Sequence, residues 1–160
     1  MGLLVGDVFR RAAAATPART AASLGDDVLT FAEVDAKANT IAHALRARGV
    51  EHGHRVAWWG DTTLGAVPLF AALAKLGAVF VPLNPRLSDT ERAPVLDKAR
   101  PHLVLTSIDA LIEGDATGDV VEPALGESDS HVIFFTSGST GAPKGVVLSH
   151  RANFLRSFPG

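Results

Sequence analysis

Cysteine is absent from the 160-residue sequence, which excludes a disulfide framework and any metal site built from thiolates. A chain without disulfides suits a reducing compartment, and we expect it to be cytoplasmic. The chain also lacks a large excess of charge of either sign, since its formal net charge is only -2. Such a chain lacks the basic field that attracts nucleic acid, so we expect no nucleic-acid partner.

A long uninterrupted apolar run is also lacking. The best candidate for a membrane span is residues 64–83, LGAVPLFAALAKLGAVFVPL, but Lys75 lies inside it, and Pro68 and Gly77 interrupt it. A lysine in the middle of a bilayer costs about 2.5–3.5 kcal/mol. We therefore predict no membrane span and interpret the run as a buried helix followed by a buried strand.

Helical and strand patterns alternate along most of the chain. Thr30 and Glu33 form a capping-box pattern in front of a helix whose apolar residues share one face, and Ser88 and Glu91 repeat the pattern further on. The segments that we predict as strands are residues 55–59, 78–81, 102–106, 131–135 and 146–149. A further helix is predicted to begin after Ser149.

Short apolar strands separated by amphipathic helices are typical of an α/β fold with a mostly parallel sheet and helices on both faces. The first three predicted strands should be parallel neighbours. Asp61 is predicted to cap the helix that ends at Gly77. Pro94 weakens the helix predicted after Ser88, because a proline removes a backbone N–H from the helix interior. Residues 109–130 show no clear period and are predicted as a loop with at most one short element.

A run of small residues follows the predicted strand 131–135, in the stretch FFTSGSTGAPKGVVLS at residues 134–149. Open α/β sheets bind ligands at the carboxyl ends of their strands. Gly138 and Gly141 allow positive φ, so successive N–H groups can turn inward, and Lys144 adds a mobile cation. Hydroxyl donors come from Thr136, Ser137, Ser139 and Thr140. Such a loop suits a polyphosphate.

The loop departs from the P-loop pattern of nucleotide hydrolases. Pro143 precedes Lys144 and Gly145 follows it, where the P-loop has Gly before the lysine and Ser or Thr after it. A plain surface turn in a hairpin is the simplest alternative. A nucleotide hydrolase and a non-catalytic fragment that binds phosphate also stay open at this point.

The segment TSGSTGAPKGV, residues 136–146, resembles the signature loop T-S-G-T-T-G-x-P-K-G-V of the adenylate-forming superfamily. That superfamily contains acyl-CoA synthetases, luciferases and the adenylation domains of peptide synthetases. Residues 29–50, LTFAEVDAKANTIAHALRARGV, and residues 73–88, LAKLGAVFVPLNPRLS, resemble two earlier family segments in the expected order and spacing. The resemblance covers residues 8–150.

The resemblance implies a two-step ligase. In the family a carboxylate attacks the α-phosphate of ATP, with Mg²⁺, to give an acyl-adenylate and pyrophosphate, and a thiol such as that of coenzyme A then displaces AMP. The loop would hold the β- and γ-phosphates, and Lys144 would offset their charge. The ATP-binding residues implied are Thr136, Ser137, Gly138, Ser139, Thr140, Gly141 and Lys144.

The subfamily and the extent of the domain also follow from the resemblance. The segment Asn84-Pro85-Arg86-Leu87 is closer to acyl-CoA synthetases, which favours a ligase for fatty or other organic acids, with a peptide-synthetase adenylation domain as the alternative. Family members run to several hundred residues, so residues 1–160 are expected to be the amino-terminal part of the AMP-binding domain. The catalytic residues, the metal ligand and the mobile carboxyl-terminal domain are expected beyond residue 160. The 160 residues alone would be inactive, and a homodimer stays open for the full-length protein.

Overall fold

The computed structural model describes residues 2–114, 116, 118–137 and 142–157. These residues form seven strands and six helices. In chain order the elements are α1 (Val5–Ala15), β1 (Thr20–Leu24), β2 (Asp27–Thr30), α2 (Phe31–Ala47), β3 (Arg55–Trp58), α3 (Ala66–Leu76), β4 (Val79–Pro82), α4 (Asp89–Ala99), β5 (Leu103–Leu105), α5 (Asp109–Ile112), β6 (Ser130–Ser137), β7 (Pro143–Ser149) and α6 (His150–Arg156).

The main sheet has five strands in the order β5-β3-β4-β6-β7. Strand β3 pairs with both β4 and β5 in parallel, and β4 pairs with β6 in parallel. The predicted set of three neighbouring parallel strands is therefore confirmed. Strands β6 and β7 form an antiparallel hairpin at one edge, and β1 and β2 form a separate antiparallel pair.

Helices pack on both faces of the sheet, because successive side chains of a strand point to opposite sides. On one face, Val56 of β3 and Phe80 of β4 join the buried apolar residues of α2 and α3. On the other face, Ala57 of β3 packs with Val95 and Ala99 of α4. The predicted α/β class, with helices on both faces of a mostly parallel sheet, is confirmed.

Both predicted capping boxes are present. Thr30 Oγ1 accepts a hydrogen bond from Glu33 N, and Glu33 Oε2 accepts one from Thr30 N at 2.8 Å. Ser88 and Glu91 form the same reciprocal pair at the start of α4. Pro94 does not interrupt α4, because the box fixes the first turn while Val95, after the proline, is buried against the sheet.

The prediction that Asp61 caps α3 is wrong. The helix begins at Ala66, and its N-cap residue is Gly65, which offers no side chain for capping. A Cβ at Gly65 would lie 2.6 Å from Ile108 Cδ1, so the turn before α3 packs closely against Ile108. Packing between two loops, rather than a capping side chain, sets where this helix starts.

The apolar run at residues 64–83 folds as predicted, into a helix followed by a strand. Helix α3 spans 11 residues, and Gly77 ends it with φ +69°. In the described ranges, no helix has both the length and the apolar character needed to cross a membrane. The lysine inside the run, Lys75, is fully buried and contacts carboxylates of other segments.

Replacing Gly77 with alanine is expected to lower the free energy of unfolding by about 2 kcal/mol, because strain from positive φ and overpacking add together. A Cβ there would lie 2.6 Å from His52 Cδ2 and 3.0 Å from Leu125 Cδ1. Gly53→Ala is the matched control, because Gly53 has φ +80° but no atom within 4 Å of the added Cβ. Urea unfolding of the two variants should differ by about 1 kcal/mol, which isolates the steric part. Equal destabilisation would contradict the close packing at Gly77.

Candidate functional site

The hairpin β6–β7 carries the residues that the sequence singled out. Thr136 pairs with Lys144, and Ser137 pairs with Pro143, at the end of the hairpin where the loop begins. Strand β6 is aligned with β4 at Val132 and continues past the end of β4. The sheet therefore presents the described end of the hairpin, where Thr136 pairs with Lys144, beyond the carboxyl edge of its parallel strands.

The structure brings together the two ends of the predicted ATP-binding set. Thr136 and Lys144 are both exposed, and Thr136 Oγ1 lies 3.5 Å from the carbonyl oxygen of Lys144. The other predicted positions, Gly138, Ser139, Thr140 and Gly141, lie outside the described residues, as does the side chain of Ser137. The inward-turned N–H groups and the phosphate role of the set thus stay predictions, whereas the cross-strand pairing of Thr136 with Lys144 is part of the structure.

A cavity of about 600 Å³ lies beside the hairpin, on the side of α4. Its lining includes Phe135, Thr136 and Pro143 of the hairpin, Asn84 after β4, and Glu91 of α4. The Asn84 side chain also forms the local turn, because its Oδ1 accepts a hydrogen bond from Arg86 N at 3.0 Å. The hairpin, the end of β4 and α4 therefore enclose a concave space next to Thr136.

A second cavity, of about 490 Å³, is rich in cationic side chains. Arg55, Lys98 and Arg100 line it together with Ala142 and Pro143, the last residues before Lys144. Lys98 Nζ donates to the carbonyl oxygen of Pro143 at 2.9 Å. This contact could not be predicted from the sequence, because Lys98 and Pro143 belong to different elements that are far apart along the chain.

Two buried histidines lie at the base of the same hairpin. His131 of β6 and His150 of α6 are fully buried, and their ring centroids are 4.5 Å apart. Burial lowers the pKa of His131 to about 3, and the neighbouring His150 adds to the effect. Burial likewise lowers the pKa of His150 to about 4, although the nearby Asp129 carboxylate opposes the shift. Both rings are therefore neutral at pH 7, and they support the hairpin as packed side chains.

Metal-binding side chains are not clustered in the part of the chain that the structure describes. No group of three or more His, Asp or Glu side chains there could hold a metal ion. His52 instead contacts Asp129, with Nε2 3.1 Å from Oδ2, and His54 stacks on His102 at 4.4 Å.

Residues 9–158 match the AMP-binding enzyme family. This range contains the hairpin, both cavities and every element of the main sheet. The chain therefore belongs to the AMP-binding enzyme family, the adenylate-forming family that its loop resembles.

Individual relatives agree with this assignment. Tyrocidine synthase 2 of Brevibacillus parabrevis is 32% identical over 160 residues, which cover 91% of this chain and 4% of that protein. Feruloyl-CoA synthase of Amycolatopsis sp is 36% identical over 159 residues, which cover 88% of this chain and 32% of that protein. The chain thus spans a third or less of the length of these curated relatives.

A solved structure supports the fold. The N-terminal subdomain of Klebsiella oxytoca NpsA superposes with a TM-score of 0.87 at 26% sequence identity. The match covers 98% of this chain and 44% of that one. This chain therefore shares its fold with that N-terminal subdomain.

Proposed function

We propose that the chain is the amino-terminal part of the AMP-binding domain of a ligase that activates a carboxylic acid with ATP and Mg²⁺ and transfers the acyl group to coenzyme A. The observation that carries this proposal is the β6–β7 hairpin, which presents Thr136 and Lys144 beyond the carboxyl edge of the sheet in a chain of the AMP-binding family. The whole ligase is the active unit, and residues 1–160 supply its phosphate loop.

The chemistry divides into two balanced steps. A carboxylate oxygen attacks the α-phosphorus of ATP, and the bond from that phosphorus to the bridging oxygen breaks, so pyrophosphate leaves with the electron pair. The sulfur of the thiol then attacks the acyl carbon and gives up its proton to solvent, the bond from that carbon to the phosphate oxygen breaks, and AMP leaves with the electron pair. Negative charge grows on the departing pyrophosphate, and a cation placed beside it in advance stabilises that change. Lys144 supplies this cation, with hydroxyl and N–H donors of residues 136–141 around the phosphates.

Exposed apolar side chains support the proposal that the domain continues beyond these residues. Phe134 and Val146 are cross-strand neighbours on one face of the hairpin and are 46% and 49% exposed. Clustered apolar side chains of this kind mark surfaces that contact other polypeptide. The remaining part of the domain would cover this edge and bring the adenine site, the metal ligand and the catalytic residues.

The main proposal, a ligase that uses coenzyme A, and its alternative, an adenylation domain of a peptide synthetase, differ in the acyl acceptor. The Asn84-Pro85 segment and the similarity to a feruloyl-CoA synthase favour coenzyme A as the acceptor. The similarity to tyrocidine synthase 2 favours an adenylation domain of the peptide-synthetase type. Release of AMP from the complete ligase with ATP, an organic acid and coenzyme A would support the first. Acid-dependent exchange of pyrophosphate into ATP without any thioester to coenzyme A would support the second.

In the complete ligase, Lys144→Ala is expected to slow carboxylate-dependent exchange of pyrophosphate into ATP by about a hundred-fold, the usual effect of removing one preorganised donor from a transition state. The KM for the acid should stay within about two-fold, because the lysine meets charge that belongs to ATP rather than to the acid. Lys37→Ala on α2 makes the same chemical change away from the hairpin and is expected to leave the exchange rate unchanged.

Two results would count against this proposal in different ways. Exchange by the complete ligase that is indifferent to Lys144→Ala would refute the role of the lysine. Strong exchange by the 160-residue chain alone, lost in Lys144→Ala, would show that the chain is sufficient for adenylation while keeping the role of the loop. We expect no exchange by the chain alone, because binding of ATP needs groups that position the whole nucleotide.

A further inference from the structure

A lysine outside the loop contacts the strand that leaves it. Lys98 Nζ lies 2.9 Å from the carbonyl oxygen of Pro143, to which it donates a hydrogen bond across 45 positions of sequence. Pro143 is the first residue of β7, and Lys144 follows it directly. The contact therefore fixes the peptide group that joins Pro143 to Lys144.

The end of α4 that carries Lys98 is itself held in place. Ala99, the next residue, is only 1% exposed and belongs to the buried cluster between α4 and the sheet. Arg55 of β3 donates from Nη1 to the carbonyl oxygen of Ala99 at 2.8 Å. Lys98 thus extends from a support that is fixed to the sheet by both packing and hydrogen bonding.

The outgoing strand of the hairpin lacks one backbone donor at this point. Pro143 has no N–H and cannot donate to β6, where Ser137 is its partner in the register. At the next pair, the contact from Thr136 Oγ1 to the carbonyl oxygen of Lys144 is long, at 3.5 Å. A charge-assisted hydrogen bond from Lys98 is shorter and stronger than such a contact.

Lys98 and Lys144 lie on opposite sides of the hairpin. A Cβ at Gly145 would lie 3.2 Å from Ile133 Cγ2, so Gly145 shares the face of Ile133, which packs in the buried cluster with α4. Side chains alternate along a strand, so Lys144 projects from the other face. The ammonium of Lys98 therefore acts on the backbone of the loop and not on a ligand held by Lys144.

We propose that Lys98 is a positioning residue for Lys144: it holds the Pro143 carbonyl so that Lys144, on the other side of the same peptide group, is preorganised for the polyphosphate of ATP. This inference rests on the proposed function. Without the hydrogen bond from Lys98, Lys144 would spend only part of its time in the binding geometry, and the apparent dissociation constant for ATP would rise by the inverse of that fraction.

Kinetics of the complete ligase test the inference. Lys98→Met is expected to raise the KM for ATP in pyrophosphate exchange about five-fold and to leave the KM for the acid within about two-fold. Lys98→Arg keeps a cationic donor and should stay within about two-fold of the parent in both constants. Arg100→Met is the matched control, because Arg100 lines the same cavity while the hydrogen bond to the Pro143 carbonyl comes from Lys98. Equal effects of Lys98→Met and Arg100→Met would overturn the inference in favour of a general positive field.

A readout without catalysis uses the 160-residue chain. Hydrogen–deuterium exchange of the amides of residues 144–147 should be about five-fold faster in Lys98→Met and unchanged in Arg100→Met. If Lys144→Ala abolishes pyrophosphate exchange while Lys98→Met changes neither the KM for ATP nor the amide exchange, the inference fails and the proposed function stands. If Lys144→Ala has no effect, the proposed function fails and the inference fails with it.

Discussion

Replacement of Lys75 by methionine is expected to lower the free energy of unfolding by about 3 kcal/mol, the low end of the cost of breaking a buried ion pair. The Lys75 side chain is fully buried on α3, and its Nζ donates to Asn39 Oδ1 at 2.7 Å and to Asp119 Oδ1 at 3.0 Å. Asp35 Oδ1 also lies 2.7 Å from Nζ, as an ion pair. Methionine keeps the unbranched stem but removes the cation on which these three acceptors converge.

The low end of that range applies because one of the carboxylates remains accessible to water. The side chain of Asp119 is 42% exposed, so it can be rehydrated when the ammonium is lost, whereas that of Asp35 is only 18% exposed. Burial alone would raise the pKa of Asp119, but hydrogen bonds from Lys75 and Arg10 outweigh it and lower that pKa. The Asp119 carboxylate is therefore ionised at pH 7 in the parent protein, and Arg10 Nε, 2.7 Å from its Oδ2, still pairs with it in the variant.

Urea unfolding at pH 7 measures this effect. The control is Lys37→Met, the same chemical change on a half-buried residue of α2, and surface changes of this kind stay within about 0.5 kcal/mol. A Lys75→Met protein within about 1 kcal/mol of the parent would show that the buried cation is not a net source of stability, as happens for some buried pairs.

The elements that could be predicted are those whose signals are local. Two helix starts can be predicted from four residues each, because the side chains of a capping box satisfy backbone donors of their own first turn. These boxes are Thr30 with Glu33 and Ser88 with Glu91. Gly77 ends a helix through its own backbone conformation. Short apolar strands between such helices then predict a parallel sheet.

Helix α1 was not predicted, although the four alanines at residues 12–15 favour a helix, and its placement depends on distant contacts. Val5 N donates to Nδ1 of His150 at 3.3 Å, and a Cβ at Gly6 would lie 3.2 Å from the Lys75 backbone. Both partners are far away in sequence. The hairpin β1–β2, in contrast, did carry a signal: Gly25 and Asp26 separate two short strands, and Gly25 has φ +61°. A glycine followed by an aspartate between strands is typical of a two-residue turn.

Of the candidate site, Lys144 could be predicted from the sequence, whereas the contact that Lys98 makes with Pro143 could not. Lys144 stands out because it closes a run of glycine and hydroxyl residues. Lys98 stands in the last turn of α4, where a lysine has an ordinary role near the negative end of the helix dipole. Only the fold shows that its ammonium reaches Pro143, since packing of α4 on the sheet determines which strand the side chain meets.

Acidification from pH 7 to pH 5 is expected to lower the free energy of unfolding by about 4 kcal/mol through His131 and His150, about 2 kcal/mol for each. Their pKa values of about 3 and about 4 in the folded protein lie below the ordinary value of 6.5. Below pH 6.5, the two histidines therefore bind protons in the unfolded chain while they remain neutral in the folded chain. The contribution of the two neutral histidines to the free energy of unfolding is fully present above pH 6.5 and is lost as the pH falls toward 4.

The geometry explains why the folded state keeps these rings neutral. Nδ1 of His150 accepts a hydrogen bond from Val5 N–H, which can only donate, so a proton at that nitrogen would break the bond. Nδ1 of His131 lies 2.8 Å from Asn153 Nδ2. The two rings also pack against each other in a buried site, where a second positive charge would face the first.

Urea unfolding at pH 7, 6 and 5 tests the assignment to this histidine pair. In His131→Gln, whose amide oxygen can still accept from Asn153, the loss between pH 7 and pH 5 should fall to about half, near 2 kcal/mol. His43→Gln is the control, because the His43 ring contacts the Gly118 carbonyl and lies outside the pair. The carboxylates whose pKa values are lowered, such as those of Asp119 and Asp129, start from ordinary values near 4 and so act below this window. A loss between pH 7 and pH 5 that is the same in His131→Gln as in the parent protein would place the acid sensitivity elsewhere in the molecule.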